Sequence, residues 1–264
     1  VRSSGGQTTW VDIDRYTPSQ PLIVSVDWSP DSQHVVFQVQ DREQTWLDLN
    51  LATHAGQMRR LFRETTEAWV NVNGAPVWLN DGTFLWMSER TGWKHLYHYG
   101  ADGNLLRQIT DGQWEVRQLH GVDPVREWIY FSGTRRSPIG NDIYRIHLDG
   151  SSLTRLSTLP GNHRVQFNPS FSHYIDTWSD INTPPSVRLH EASGTESRVI
   201  DANQSTPLSN YRLVRPEFVQ VVNRNGFVME AMMIKPPDFD PTKQYPVYQH
   251  VYGGPHTQRV RNTW

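Results

Sequence analysis

Apolar and polar positions alternate along this chain in short runs broken by Gly, Asn, Asp and Ser. In residues 142–148, Ile143, Arg145 and His147 fall on one side and Tyr144, Ile146 and Leu148 on the other, the two-residue period of a strand. The same grammar recurs four times. The first unit opens with Trp28-Ser29-Pro30-Asp31-Ser32, runs through 34–39 and 45–49, turns at Ala55-Gly56 and leaves through 60–62. The second opens with Trp78-Leu79-Asn80-Asp81-Gly82, runs through 83–87 and 95–99, turns at Asp102-Gly103 and leaves through 107–109. The third uses 128–131, 142–148, the turn Asp149-Gly150 and 154–156; the fourth uses 174–178, 186–189, Ser193-Gly194 and 198–200. A further strand per unit is expected at 67–70, 113–116 and 163–166. The turn glycines Gly56, Gly103, Gly150 and Gly194 stand 47, 47 and 44 residues apart, and such residues suit tight hairpins because they accept positive φ.

Four short strands repeated at this period predict a β-propeller. A β-sandwich has strands at similar spacing but no such self-similarity, and a parallel β-helix repeats over a much shorter distance. The expected fold is therefore all-β, a partial propeller of four-stranded blades spanning about four blades over residues 1–205. Trp28, Trp78 and Trp128 open successive units and are expected to fill the space between blades, with a core role for nearly all 11 Trp.

After Ile200 the grammar changes. Residues 217–222 alternate, Asn223-Arg224-Asn225-Gly226 signals a hairpin, and 227–234 return as an apolar strand. A Pro-rich loop at 235–241 leads to another expected strand, 245–252, ending in Gly253-Gly254-Pro255-His256. Residues 206–264 thus read as the opening of a different domain, and 8–13 as the last strands of an earlier blade. Both ends are expected to be cuts in a longer protein. Half a propeller leaves two blade faces open, so a homodimer, another partner chain or further segments are expected to cover them.

Composition narrows the function classes. With 36% apolar and 11% aromatic residues the chain is not of a disordered type. Its net charge of −2 balances 25 basic against 27 acidic residues, and no basic block supports a nucleic-acid surface. No run is apolar enough for a membrane helix, and residues 1–9 lack the pattern of a signal peptide. With no Cys, thiol nucleophiles, thiolate zinc sites and disulfides are all excluded within this span.

Four segments stand out: Val26-Asp27-Trp28-Ser29-Pro30-Asp31-Ser32, Glu89-Arg90-Thr91-Gly92-Trp93-Lys94-His95-Leu96, Thr110-Asp111-Gly112-Gln113-Trp114-Glu115-Val116, and Tyr245-Pro246 through Val251-Tyr252-Gly253-Gly254-Pro255. Together they resemble the dipeptidyl peptidase IV branch of the prolyl oligopeptidase family. The resemblance runs from about Trp10 to Trp264. It implies a serine exopeptidase that removes N-terminal dipeptides after proline or alanine, with a propeller capping an α/β-hydrolase domain. This chain would hold the second half of that propeller and the first hydrolase strands. The resemblance favours the periplasm or the cell exterior, and composition leaves the cytoplasm open.

It also implies a catalytic role for Tyr252, whose hydroxyl would donate to the oxyanion of the tetrahedral intermediate. A phenol with a reference pKa of about 10 stays protonated at neutral pH and can donate. Gly253 and Gly254 are expected to allow the sharp turn that aims it. The nucleophile, acid and base are not in this span: no G-x-S-x-G elbow occurs, and in α/β-hydrolases the acid and the His follow the Ser in the chain. His250 and His256 are excluded as the base by that order. The pair of adjacent Glu by which the family holds a substrate amine is missing as well; Glu64 and Glu67 are not adjacent and are expected to be exposed. His95 and His98 fall on opposite faces of one strand, which speaks against a shared metal ion, and no cofactor is expected. The competing reading is a stand-alone propeller that binds peptides or proteins; the segment after Pro216 and the Tyr252 loop favour the enzyme.

Overall fold

The computed structural model describes residues 5–204, 208, 210–254 and 257–264. It divides into two compact units, one made of residues up to 116 with 124–128 and 147–151, the other of 117–123, 129–146 and 152–264.

The first unit contains two antiparallel sheets. One is β1 (Leu22–Trp28), β2 (His34–Gln40), β3 (Trp46–Thr53) and β4 (Met58–Thr65); the other is β5 (Val77–Trp78), β6 (Phe84–Ser88), β7 (His95–Tyr99) and β8 (Leu105–Gln108). In each, strands lie side by side in chain order, the meander that short hairpin turns produce. Val36, Leu47, Leu49 and Leu61 from one sheet share a core with Phe84, Trp86, Tyr97 and Tyr99 from the other. The Phe62 ring stacks on Tyr99 at 4.6 Å and meets the Trp86 ring edge-on at 5.3 Å. On β3, the fully buried Asp48 accepts two hydrogen bonds from Arg63, at 2.6 and 2.8 Å, and one from the Tyr16 hydroxyl at 2.9 Å. Burial and the neighbouring carboxylate push the Tyr16 phenol up to about 12. This network ties the 3₁₀ helix Asp14–Ser19 to the first sheet.

The third sheet is β9 (Val116–Asp123), β10 (Trp128–Gly133), β11 (Asp142–His147) and β12 (Thr154–Arg155), and the fourth is β13 (Asn162–Phe167), β14 (His173–Asp180), β15 (Thr183–Glu191) and β16 (Glu196–Asp201). In the second unit Tyr130 packs on Phe167 at 4.6 Å and stacks on Phe171 at 5.5 Å, while Phe167 meets Tyr174 at 4.9 Å. Beyond them β17 (Glu217–Val222) and β18 (Val228–Met233) form a two-stranded sheet, with Gly226 at φ 80° in its turn.

The repeated turn glycine does two jobs. Gly103 has φ 89° and Gly194 φ 97°, the left-handed region that other residues rarely adopt. Each turn also presses against the preceding sheet. A Cβ on Gly103 would lie 2.5 Å from the Leu61 carbonyl oxygen, and one on Gly194 would lie 3.0 Å from that of Leu156. Arginines reinforce the contact: Arg59 donates to the carbonyls of Ala101 and Asp102 at 3.1 and 3.3 Å, and Arg145 to that of Ala192 at 3.4 Å.

Some expected elements differ. Residues 67–70 form no strand; β5 begins at Val77, after Gly74-Ala75-Pro76 has ended an irregular stretch in which Pro76 can donate no ladder bond. Expected 113–116 becomes β9, which only starts at Val116. Residues 8–13 form no ladder; the Asp12 amide donates to the Gly56 carbonyl at 3.4 Å, and Val11 and Ile13 pack against the core of the first sheet. Residues 245–252 also form no strand, and Val247 and Tyr248 are 90% and 93% exposed, because among the described residues no strand lies beside them. The Trp expectation fails in part. Trp86, Trp114 and Trp178 are buried, but Trp10, Trp28, Trp69, Trp93 and Trp264 are exposed. Trp28 sits on β1, an outer strand of its sheet. Trp78 does pack against the shared core, and Trp128 stacks on His147 at 3.6 Å. The expected boundary at 205/206 falls at residues outside those described.

Candidate functional site

Tyr252 lies on an irregular segment and is 54% exposed. Its ring folds over its own loop: a Cβ on Gly254 would lie 2.8 Å from the ring Cζ and 2.8 Å from the hydroxyl. Neither Gly253 nor Gly254 is in the left-handed region. Gly254 is needed there for close approach, not for an unusual backbone angle. The ring also faces the Arg259 guanidinium, 5.2 Å from its centroid, a distance at which a cation is attracted to the ring face. Pro255 and His256 lie outside the described residues, and His250 is exposed.

The segment after Tyr252 is anchored on strand ends of the second unit. The Arg117 guanidinium of β9 donates to the Gln258 side-chain oxygen at 2.7 Å, and the Gln258 amide donates to the Pro138 carbonyl at 2.8 Å. The Asn262 backbone amide donates to the Ile139 carbonyl at 2.7 Å. The Asn262 side-chain oxygen accepts from the Ile181 amide at 3.0 Å, and the Thr263 and Ser179 hydroxyls are 3.0 Å apart. These anchors come from β9, the β10–β11 connection, and the end of β14 with the turn after it, whose separation from 258–264 in sequence hides them from any local pattern.

A second polar concavity lies in the first unit, a cavity of about 200 Å³ lined by Arg63, Glu64, Asn71, Ser88, Glu89 and Arg90 among others. Glu64 is buried, contrary to expectation, because Arg90 donates to it at 2.6 Å; Arg90 also lies 4.3 Å from the Tyr97 ring centroid. Glu67 is exposed. His95 is buried between Thr110 at 3.1 Å and the Gly112 carbonyl at 2.9 Å, and burial lowers its pKa. His98 pairs instead with the Thr83 hydroxyl at 2.7 Å. The two imidazoles thus serve different turns. Among the described residues no group of three or more His, Asp or Glu is placed to hold a metal ion.

The model of the dipeptidyl peptidase IV N-terminal region matches residues 1–185. The chain belongs to this family. Dipeptidyl peptidase 8 of Mus musculus is 26% identical over 99% of this chain and 37% of its own length. Dipeptidyl peptidase 4 of Trichophyton rubrum is 26% identical over 99% of the chain and 35% of its own length. The crystal structure of Porphyromonas gingivalis dipeptidyl peptidase 4 superposes with a TM-score of 0.86 at 26% identity, covering 92% of this chain and 35% of that one. The chain therefore spans about a third of the length of the dipeptidyl peptidases it matches. Its four-stranded antiparallel sheets correspond to a propeller-type region of these relatives.

Proposed function

We propose that this chain is part of a serine dipeptidyl peptidase that releases N-terminal dipeptides after proline or alanine. Residues 1–205 are read as propeller blades that gate peptide substrates, and 206–264 as the first strands of an α/β-hydrolase domain. The observation that carries this reading is that two named dipeptidyl peptidases align over 99% of the chain, an alignment long enough to run past the blades into the Tyr252 region. The β17–β18 sheet, which belongs to no blade, supports the same division.

Tyr252 is assigned the oxyanion role. Tyr252 joins no strand and more than half of the residue is open to an approaching carbonyl. The nucleophile, acid and base are assigned to other parts of the full-length protein, and the 264-residue chain by itself is expected to be inactive. The exposed Ile23, Val26 and Trp28 of β1 support the expectation that a second copy or further chain covers that strand. Among the described residues no helix is long and apolar enough to cross a membrane.

The test is turnover of Gly-Pro-p-nitroanilide by the full-length protein and its Tyr252→Phe variant. Loss of one oxyanion donor lowers kcat by about 100- to 1000-fold. A full-length protein with no turnover overturns the peptidase reading. A variant within threefold of the parent overturns the role of Tyr252.

A further inference from the structure

We propose that Gln258 and Asn262 are positioning residues for Tyr252, holding residues 258–262 on the blade strand ends so that Arg259 fixes the Tyr252 ring. The proposal rests on the oxyanion reading of Tyr252 and adds to it the means by which the phenol is aimed.

Tyr252 has little of its own to hold it. Its backbone joins no strand, and more than half of its surface is open. Two features lie against the ring: the backbone of Gly254 and the Arg259 guanidinium. Arg259 is itself exposed, and a long exposed side chain would normally be free to rotate. Its backbone is not free, because it lies between two anchored residues. Gln258 uses both ends of its side-chain amide, accepting from Arg117 and donating to the Pro138 carbonyl. Asn262 uses backbone and side chain together, toward Ile139 and Ile181. The partners belong to β9, the β10–β11 connection and the β14–β15 turn. Three separated elements fix a segment in position and in rotation, where one would fix only its distance.

The consequence is catalytic because oxyanion donors act only within hydrogen-bond reach of the developing charge. A displacement of about 1 Å can cost on the order of 100-fold in rate. In this arrangement the blades set the reach of a group that lies outside them.

The experiment uses the full-length protein with Asn262→Ala, Asn262→Asp, Gln258→Ala and Tyr252→Phe, each alone, and Asn262→Ala combined with Tyr252→Phe. Asn262→Asp keeps the oxygen that accepts from the Ile181 amide. Expected are a fall in kcat of about 10-fold for either alanine variant with KM within twofold, and recovery to within threefold of the parent in Asn262→Asp. The double variant should be no slower than Tyr252→Phe alone, since a phenyl ring has no hydroxyl left to aim. A further 10-fold loss on the Tyr252→Phe background shows a general structural role and overturns the proposal. So does an unchanged kcat in both alanine variants while Tyr252→Phe is slow. If Tyr252→Phe itself retains full activity, the oxyanion reading fails first. Should Asn262→Ala not fold, Gln258→Ala on the two backgrounds gives the same comparison.

Discussion

The blade strands and the β17–β18 hairpin are built from the same kinds of residue and end in opposite environments. In β2 and β3, Val39, Leu47 and Leu49 are fully buried. In the hairpin, Val222 is 63% exposed and Met232 40%. Both segments carry apolar residues of strand-forming type, so intrinsic strand preference does not separate them. The difference lies in where the partner surface is encoded. A blade meets the next blade within about 50 residues of chain, whereas a two-stranded ribbon needs a sheet or helix from elsewhere to cover it.

The largest test of that contrast is truncation of one side chain on each side of it. Leu49→Ala should cost about 4 kcal/mol, because it leaves a cavity in a closed core. Val222→Ala should cost below about 0.5 kcal/mol. Urea unfolding of the 264-residue chain measures both, and comparable losses would break the distinction.

Acid gives the next effect. Burial pushes His120, on β9, down from 6.5 to about 4, and among the described residues its Nε2 has no partner. Between those two values the unfolded chain takes up a proton that the folded chain refuses. The contribution of His120 is therefore complete above pH 6.5 and is lost as pH falls toward 4, by on the order of 3 kcal/mol. His120→Gln should flatten this part of the stability profile between pH 7 and 4. A profile that keeps its slope in the variant would place the acid sensitivity elsewhere.

The smallest test compares the two kinds of turn. Gly103→Ala combines left-handed strain with the Leu61 carbonyl and should cost about 2 kcal/mol, whereas Gly226→Ala, with nothing within 4 Å of the added Cβ, should cost about 1 kcal/mol. Thermal melts of the two variants would show whether the contact adds to the backbone cost; equal shifts would mean that it does not.

The hairpin strands of the blades were legible because each lies beside its partner in sequence. Residues 95–99 form β7 with the expected bounds, and 142–148 lose only their last residue in β11. The first strands of the blades were less legible: the apolar residues at 67–70 suggested a strand, but Val70 enters the shared core from an irregular segment. Glu64 looked like a surface residue because its partner, Arg90, lies in the turn between β6 and β7 of the neighbouring sheet. The site was the least legible part. Tyr252 stood out only through family resemblance, since nothing local distinguishes it from Tyr248. The anchors Gln258 and Asn262 carry no sequence signal at all, as their partners are backbone carbonyls and amides, together with Arg117, on distant turns and strands.

The turn glycines also bear on how such a sequence can drift. At Gly103 and Gly194 a turn comes up against the main chain and Cβ of Leu61 and Leu156. The distance between neighbouring sheets is then set by atoms that every residue possesses. Side chains behind that contact can be exchanged for others of similar bulk while the spacing survives. A lineage under this constraint can rewrite most of its letters and keep its geometry, and a TM-score of 0.86 at 26% identity has that character.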